Sequence, residues 1–388
     1  MSTLDELTVP KIEQTGPVAV DEFVYVDISS VDNKTKRIVD PKRLLVTEAP
    51  SRARQRLRAG DVLVSMTRPN LNAVAMVPTE LNGAIGSTGF HVLRAKDDVD
   101  PRWLFNAVQS RDFVQTMEDF VQGALYPAVR PKDIRGYKLH APPLEEQRRI
   151  LDEIEKQFSR LDEAVANLQR VKANLKRYKD SVYAEVFGNK PNCTLGDLIN
   201  EGPQNGLYLP KEMYGEGVPI LRIDDYQTAW IRPLAELRRV KATQDQIATW
   251  ALREDDLVIN RVNSMTHLGK CALVPPPLAG TVFESNMMRM RLKTEVSPKY
   301  VEHYLSSRLG RTRLTENAKW AVNQASINQK DIRATPIFIP DLLTQQQIVA
   351  DIDRRLSIIK GTEAEVQANI KRAQALRQST LSKAFGAA

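Results

Sequence analysis

The chain has 388 residues, which is long enough for two domains of ordinary size. Hydrophobic residues make up 42% and charged residues 27%, and this globular composition excludes a disordered, collagen-like or disulfide-scaffold protein. The 55 basic and 48 acidic residues give a formal net charge of +7, which permits nucleic acid as a partner without requiring it.

The sequence carries no pattern typical of export, of a membrane span or of a zinc site. No apolar run is long enough to cross a bilayer, and Met1–Val9 contains two acidic residues and lacks the apolar core of a signal peptide. The two cysteines, Cys193 and Cys271, form no CxxC pair, so a structural zinc site is not expected. These features predict a cytoplasmic protein with reduced thiols.

The first part of the chain alternates short strand patterns with polar loops. We expect strands at Phe23–Ile28, Asp61–Ser65, Val74–Val77 and Phe90–Leu93, where apolar runs are bounded by turn residues. The segments between them are rich in Asn, Gly, Pro and Arg, which is typical of large polar loops that carry function.

A long helix is predicted over Leu144–Phe187, because this segment contains no proline and follows the stop at Pro142 and Pro143. Its apolar residues alternate spacings of three and four, which is the heptad pattern of a coiled-coil seam, at Leu151, Ile154, Phe158, Leu161, Val165 and Leu168. The seam is expected to continue through Val171, Leu175, Tyr178 and Val182.

The second part of the chain repeats this organisation. Strands are expected at Ile220–Ile223, Asp256–Ile259, Cys271–Val274 and Met288–Leu292, before a second proline-free helix over Leu342–Phe385. The apolar stripe of this helix includes Ile352, Leu356 and Ile359, and Gly361 and Glu363 interrupt it. Because a narrow apolar stripe on so long a helix needs a cover, we expect the two helices to pair as an antiparallel coiled coil, with a module at each end.

Ordered matches between the two parts indicate an internal tandem duplication. Asp133-Ile-Arg135 recurs as Asp331-Ile-Arg333, and at the same spacing Gln147 matches Gln345 and Phe187 matches Phe385. The predicted fold class is α+β, with two globular mixed α/β domains separated by two long helices. The expected segments are a first domain at 1–143, a spacer helix at 144–190, a second domain at 191–341 and a C-terminal helix at 342–388.

No pattern in the sequence predicts catalysis, a cofactor or a metal. Gly269-Lys270 lacks the upstream glycine and the following hydroxyl of a phosphate-binding loop. The prolines of Ala141–Leu144 and Val274–Pro277 do not form the Asn/Asp-Pro-Pro-aromatic loop of amino-group methyltransferases. The histidines are dispersed and have no partner at metal-ligand spacing. The chain is therefore predicted to be a binding protein.

The loops offer the side chains that read DNA. Arginine pairs with guanine and asparagine or glutamine with adenine in the major groove, and such residues recur at related places in both copies. In the first copy the candidates are Arg52, Arg54, Arg68, Asn70, Asn72, Tyr126 and Arg130. In the second copy they are Asn205, Tyr208, Arg261, Asn263, His267, Lys319, Trp320, Asn323 and Gln324. For any single residue an ordinary solvated loop is the simpler interpretation, so the hypothesis depends on the recurrence.

These motifs resemble the DNA specificity (S) subunit of type I restriction-modification systems. The most specific is Pro142-Pro-Leu-Glu-Glu-Gln-Arg-Arg-Ile150, with a degraded second copy at Ile339-Pro-Asp-Leu-Leu-Thr-Gln-Gln-Gln-Ile348. Gly60–Val64 and Asn323–Asn328 are similar to motifs of target recognition domains. The resemblance covers essentially the whole chain.

The resemblance implies that two target recognition domains each read one half of a bipartite site in double-stranded DNA, with the helices setting the gap between the halves. It implies that the helices dock two methylation (M) subunits, which bind S-adenosylmethionine and modify adenine at N6. Restriction (R) subunits add translocation and cleavage with ATP and Mg. The S subunit itself holds no cofactor. The expected partner-binding residues are Phe158, Leu161, Val165, Leu168, Leu356 and Ile359.

Two departures from the family pattern and two other interpretations stay open. The segment matching Thr194–Pro210 is altered before Val24, and Thr344, Gly361 and Glu363 weaken the second seam. The chain is alternatively an interaction scaffold whose modules bind protein, or an unrecognised nuclease or methyltransferase. A modest basic charge shared by both modules suits loops that contact phosphates, and a scaffold is compatible with it as well.

Overall fold

The computed structural model describes residues 1–17, 21–121, 127–227, 230–322 and 324–385. Packing divides the chain into two compact units, Met1–Gln169 with Gln367–Ala388, and Arg170–Val366. Each unit therefore combines one mixed module with a part of each long helix. The sequence-based segments 1–143, 144–190, 191–341 and 342–388 divide the chain by the order of its elements and not by packing. Their boundaries stay a prediction.

Short strands and helices precede the first long helix. The strands are β1 (Ser2–Thr3), β2 (Glu22–Val26), β3 (Val31–Asp32), β4 (Arg37–Ile38), β5 (Lys42–Leu45), β6 (Ala53–Arg56), β7 (Val62–Ser65), β8 (Val74–Met76), β9 (Ile85–Ser87), β10 (Phe90–Leu93) and β11 (Lys138–Leu139). The helices are α1 (Leu4–Leu7), α2 (Pro101–Ala107), α3 (Arg111–Asp119), α4 (Pro131–Arg135) and the long α5 (Leu144–Phe187).

The second half repeats the series. Its strands are β12 (Cys193–Thr194), β13 (Ile199–Asn205), β14 (Tyr214–Leu221), β15 (Tyr226–Gln227), β16 (Trp230–Ile231), β17 (Arg239–Val240), β18 (Leu257–Asn260), β19 (Val262–Asn263), β20 (Cys271–Leu273), β21 (Val282–Phe283), β22 (Met287–Leu292), β23 (Lys319–Ala321), β24 (Gln324–Ser326) and β25 (Pro336–Ile337). Its helices are α6 (Leu195–Leu198), α7 (Gln244–Trp250), α8 (Pro298–Ser306), α9 (Arg308–Thr315), α10 (Gln329–Ala334) and the long α11 (Leu342–Phe385).

The sheet topology confirms the duplication. In the first unit β7 lies between β10 and β8, and in the second unit β18 lies between β22 and β20. A mixed sheet accompanies each: β2 pairs parallel with β9 and antiparallel with β5, as β14 does with β21 and β17. The terminal pairs β1–β11 and β12–β25 also correspond. The predicted long helices and most predicted strands agree with these elements, but β14 begins six residues before the predicted strand Ile220–Ile223 and ends at Leu221.

A buried ion pair recurs at the same end of the equivalent strand pairs, β7–β10 and β18–β22. In the first unit the guanidinium of Arg94 donates to Asp61, with Nε to Oδ1 at 2.8 Å. In the second unit Arg291 donates to Asp256, with Nε to Oδ1 at 2.7 Å. Both carboxylates are buried and also accept a backbone N–H. A buried charge needs such a partner, so the pair fixes the strand register at the same place in each copy.

The long helices run antiparallel within each unit. In the first, the guanidinium carbon of Arg377 lies 4.1 Å from the ring centroid of Phe158 and Nη1 lies 2.7 Å from Asp162 Oδ1. In the second, Arg355 Nη1 lies 2.9 Å from Glu185 Oε2. The C-terminal part of α5 thus contacts the N-terminal part of α11, and the N-terminal part of α5 contacts the C-terminal part of α11. This confirms the expected antiparallel pairing.

The seam is only partly as predicted. Leu151, Ile154 and Phe158 are buried, but Val171 and Tyr178, which the heptad pattern placed in the seam, are exposed. The steps from Val165 to Leu168 and from Leu168 to Val171 are both three residues, which breaks the alternation of three and four. Such a break turns the apolar stripe of the helix away from the partner helix. Along the described residues no helix is both long and apolar enough to cross a membrane.

Candidate nucleic-acid interface

Most of the predicted DNA-binding residues of the second unit lie at one end of its four-stranded sheet. The antiparallel register sets Asn205 beside Met288, and Ile259 beside both Met288 and Cys271. The carboxyl ends of β13 and β18 and the amino ends of β22 and β20 therefore meet here. The loops that leave this end are consequently neighbours in space.

The first of these loops, residues 261–267, begins with an arginine that its own chain holds. The backbone N–H of Arg261 donates to the carbonyl of Asn286 at 2.9 Å, and its carbonyl accepts from Ile327 N at 2.9 Å. Its guanidinium Nη1 donates to the carbonyl of Ser285 at 3.0 Å. Nη1 of Arg261, a predicted DNA-binding residue, therefore supports the loop, and only the rest of the guanidinium can contact a ligand.

The rest of the 261–267 loop presents polar groups. His267 Nδ1 lies 2.8 Å from the hydroxyl of Thr266 and 3.1 Å from that of Ser264, which leaves the other nitrogen of this exposed ring to solvent. The side-chain oxygen of Asn263 accepts from Ser264 N at 2.8 Å, so its amide N–H groups stay available. Both residues keep hydrogen-bonding capacity for base edges or phosphates.

The β23–β24 hairpin lies beside this loop. Strand β24 pairs with β19, with Asn263 opposite Ala325, and β23 pairs with β24, with Trp320 opposite Ala325. Lys319, Trp320 and Gln324 are exposed. Asn323, also predicted to bind DNA, lies outside the described residues.

Close backbone approach orients the segment that carries Tyr208. The N–H of Gly206 donates to the Met287 carbonyl at 3.0 Å, and Leu207 N donates to the Phe283 carbonyl at 2.8 Å. A Cβ on Gly206 would overlap the carbonyl oxygen of Glu284, so only glycine fits there. Leu207 is thereby buried while Tyr208 points to solvent, and Asn205 at the end of β13 is exposed as well.

The first unit places the loop of residues 67–72 at the equivalent end of its sheet. Ser65 ends β7 opposite Phe90, and Thr67 bridges to Ala128. Arg68 has a left-handed φ of 50°, which is uncommon for an arginine and costs free energy. Within the described part of the chain no side chain accepts from its exposed guanidinium, so Arg68 is free to meet a ligand.

The neighbouring asparagines belong to the same turn. Pro69–Leu71 forms one turn of 3-10 helix, and Asn72, which ends it, also has a positive φ of 44°. Asn70 is exposed on this turn and Asn72 is half-buried. The prediction that Arg68, Asn70 and Asn72 share one loop is thus met in the structure.

Sequence reasoning missed a second element at this end, the hairpin β3–β4. Lys36 in its turn donates from Nζ to the carbonyl of Asn72 at 2.5 Å, which ties the hairpin to the 67–72 loop. Burial lowers the pKa of Lys36 to about 8, and the charge of Asp32 partly opposes this. The basic run Asn33–Arg37 was the available signal. In the second unit Lys270 similarly reaches Gln227 of β15, with Nζ to Oε1 at 3.4 Å.

Two further predicted DNA-binding arginines of the first unit, Arg52 and Arg54, differ in how far their own chain engages them. Arg52 is exposed, and its carbonyl accepts from Thr88 N at 2.9 Å, just before β10 begins at the same end of the sheet. Arg54 is exposed on β6 and donates from Nε to the Ser51 carbonyl at 3.0 Å.

Arg130 is engaged within its own turn. It pairs with Asp133, with Nε to Oδ2 at 3.0 Å, and this hydrogen bond lowers the pKa of that carboxyl. The pair closes the first turn of α4, so the charge of Arg130 is largely neutralised in place. Tyr126 lies outside the described residues.

The predicted partner-binding residues are largely occupied within the chain. Phe158 is buried and Leu161 packs against the same core in the first unit, while Ile359 is buried and Leu356 packs against the core of the second. Val165 and Leu168 are half-buried. A protein partner would therefore meet the outward faces of the helices.

The described residues contain no cluster of His, Cys, Asp and Glu side chains that could hold a metal ion. The two cysteine thiols are separate, and burial raises the pKa of Cys271 to about 12. What the two loop ends offer is hydrogen bonding, positive charge and aromatic surface, which is the chemistry of nucleic-acid recognition.

Known proteins are similar to this chain in sequence and in fold. Residues 191–371 match the family of the type I restriction modification DNA specificity domain. The chain is similar to the type I restriction enzyme EcoKI specificity subunit of Escherichia coli (strain K12), at 23% identity over 310 residues, which span 76% of this chain and 67% of that protein.

Two solved structures share the fold over nearly the whole chain. One, from a study of complex assembly and conformational transition of the type I R-M system, has a TM-score of 0.85 at 28% identity, covering 98% of this chain and 96% of the other. The HsdS subunit from Thermoanaerobacter tengcongensis has a TM-score of 0.58 at 28% identity, covering 99% and 95%. The chain is therefore similar, in sequence and in fold, to the DNA specificity subunits of type I restriction-modification systems.

Proposed function

We propose that each module reads one half of a bipartite site in double-stranded DNA and that the paired long helices set the gap between the halves. The observation that carries this proposal is the repetition of one loop-bearing sheet end in both units. The 67–72 loop and the 261–267 loop leave equivalent strands, β7 and β18, at equivalent ends. A duplicated scaffold with different loop side chains suits two half-sites of different sequence.

The loop chemistry differs between the two modules. In the first, the free guanidinium of Arg68 and the amide of Asn70 suit guanine and adenine edges. In the second, the corresponding arginine, Arg261, is partly held by the Ser285 carbonyl, and Asn263 and His267 supply the donors and acceptors. We therefore expect the two half-sites to be read by different sets of hydrogen bonds.

We further propose that the outward faces of α5 and α11 dock two methylation subunits, which supply S-adenosylmethionine and methylate adenine at N6. Their inward residues, such as Phe158 and Ile359, are buried and keep the helices in place. Restriction subunits would join the same assembly with ATP and Mg. Support for this step comes from the similarity to specificity subunits and from the exposed apolar side chains Tyr178, Ile358 and Leu376 on the helices.

Methylome sequencing tests this proposed function. DNA from cells with the intact gene should carry N6-methyladenine in a motif of two specific blocks separated by a gap of fixed length. Deleting the gene should abolish this mark, and a copy with Arg68→Ala should alter only one block. Persistence of the mark in the deletion strain, or methylation by the isolated chain without any partner, would contradict the proposal.

A further inference from the structure

The β23–β24 hairpin carries three consecutive apolar residues that the described chain does not cover. Trp320 is 73% exposed and Val322 is 92% exposed, and Ala321 between them is exposed as well. Large apolar side chains on an edge strand promote unwanted pairing with other chains and mark surfaces that a partner covers. We therefore expect a binding partner to cover these apolar residues.

The base of the hairpin is firmly rooted. Ala325 and Ile327 are buried in the main core of the second unit, and Ile327 N donates to the Arg261 carbonyl at 2.9 Å. Strand β24 is paired on both sides, with β19 and with β23. The strands that carry the exposed residues are consequently held beside the 261–267 loop.

We propose that this hairpin inserts its apolar tip into the bound DNA, stacking the indole of Trp320 on a base and opening one base step in the half-site read by the second module. This inference rests on the proposed function, because the tip belongs to the same sheet end as Asn263 and His267. DNA is the expected occupant because the tip is continuous with that interface.

The chemistry of the tip selects the part of the DNA that it meets. Trp320 and Val322 carry no charge and are mostly apolar, so they gain more from apolar surface than from phosphates, while the exposed Lys319 at the root suits a phosphate nearby. A duplex offers apolar surface only at thymine methyl groups and at the faces of the bases. A single methyl covers little of an indole, whereas a base face covers it fully, and apolar wedges are known to open base steps.

The test uses the full chain and a fluorescein-labelled duplex that carries the methylated motif. Trp320→Ala should weaken binding by about 10-fold, because stacking on one base contributes on that scale. Trp320→Phe should retain most of the affinity, since a phenyl ring also stacks. The quenching of tryptophan emission on adding DNA to the wild-type chain should disappear in Trp320→Phe, and the DNA bend, measured by energy transfer between labelled duplex ends, should decrease in Trp320→Ala.

Leu343→Ala provides the matched control. Leu343 is a similarly exposed apolar residue, at 66%, on α11, and its loss should leave affinity, emission and bend unchanged. Circular dichroism spectra of Trp320→Ala and Leu343→Ala should match that of the wild-type chain, which separates loss of contact from loss of fold.

Three results would overturn the inference. If Trp320→Ala binds and bends DNA as the wild type does but loses methylation subunits, the tip is a protein contact. If it loses affinity only for duplexes with thymine at one position and leaves the bend unchanged, the tip touches a methyl group in the groove. If the wild-type chain binds no duplex at all, the proposed function fails too, whereas the first two results leave it standing.

Discussion

The indole of Trp103 packs edge-on against the ring of Phe385, with ring centroids 4.5 Å apart. Trp103 lies on α2, before the first long helix, and Phe385 is the last residue of the second. In the other unit Tyr300 on α8 packs against Phe187, the last residue of α5, at 5.3 Å. Each module is thus closed by the end of the helix that follows the other module in the sequence.

This closure predicts that the last turn of α11 stabilises the first module. Phe385→Ala removes a fully buried ring and should lower the free energy of unfolding of the first unit by about 3 kcal/mol. Hydrogen exchange followed by mass spectrometry should show faster exchange in α2 peptides and unchanged exchange in α8 peptides. Leu376→Ala, on the exposed side of the same helix, should change neither, and equal loss in both modules would contradict the assignment.

Two matched glutamines join the long helices to the modules. Gln147 accepts from Asp100 N at 3.0 Å and donates to the Pro142 carbonyl at 2.8 Å, and Gln345 accepts from Ser297 N at 2.8 Å and donates to the Pro340 carbonyl at 2.8 Å. Both side chains are buried.

Gln147→Leu should therefore lower the free energy of unfolding by about 2 kcal/mol, because a buried donor and a buried acceptor lose their partners. Urea unfolding measures the loss. Gln147→Glu keeps the acceptor for Asp100 N. At a pH where the new carboxyl group is protonated it can also donate to the Pro142 carbonyl, so the loss of stability should be smaller. Full stability of Gln147→Leu would show that water replaces the amide.

The buried carboxylate of Asp256 should be needed for the second unit to fold. Arg291 donates to it from two nitrogens, at 2.7 and 3.1 Å, and Arg289 Nη1 lies 3.8 Å away. Asp256→Ala removes the buried partner of these cations and leaves them only the half-exposed carboxylate of Glu201, so it should cost about 3 kcal/mol. Asp224→Ala, which removes only an exposed carboxylate 3.5 Å from Arg238, should cost less than about 1 kcal/mol in the same urea titration.

A double-mutant cycle then checks the cause. If Arg291→Met added to Asp256→Ala recovers part of the stability, the loss came from an uncompensated charge. Purely additive losses would mean that Asp256 acts through packing alone.

The stability of the first unit should depend on pH through His91. Burial, together with the charge of Arg135, lowers the pKa of His91 to about 4, below its value of about 6.5 in an unfolded chain. The folded state therefore favours the neutral ring, and this stabilisation is present above about pH 6.5 and is lost as the pH falls toward about 4. Urea titrations should show a smaller acid-induced loss in His91→Leu than in the wild type, and parallel curves would contradict this.

Two arginines of the first module should differ in their effect on DNA binding. Arg68 has no acceptor among the described side chains, whereas Arg130 is paired with Asp133 at 3.0 Å. Arg68→Ala should weaken binding by about 10-fold and Arg130→Ala by less than about threefold, as measured by fluorescence anisotropy. A base contact by Arg68 should relax specificity at one position, whereas a phosphate contact should lower the salt dependence of binding.

The sequence predicted the long helices well because their signals are local. The proline stops before Leu144 and Leu342 and the absence of proline through Phe187 and Phe385 indicated both helices, and repeated motifs such as Asp133-Ile-Arg135 revealed the duplication. Periodicity could not show where the seam is actually covered. Val171 and Tyr178 fit the heptad pattern but are exposed, because coverage depends on the partner helix.

The candidate interface was predicted by residue type and not by geometry. The sequence placed Arg68, Asn70 and Asn72 in one loop, but it could not show that Arg261 is half used by the Ser285 carbonyl or that Lys36 reaches the Asn72 carbonyl. Both contacts join residues far apart in the chain, so no local pattern encodes them. The roles of the individual DNA-binding residues stay predictions.

The central claim is that each module reads one half of a bipartite DNA site. Its most direct test is selection of DNA from a random duplex library by the chain assembled with its methylation subunits. The account predicts a motif of two specific blocks with a gap of fixed length, in which Arg68→Ala relaxes one block and Asn263→Ala relaxes the other. A single continuous motif, or relaxation of both blocks by either variant, would contradict it.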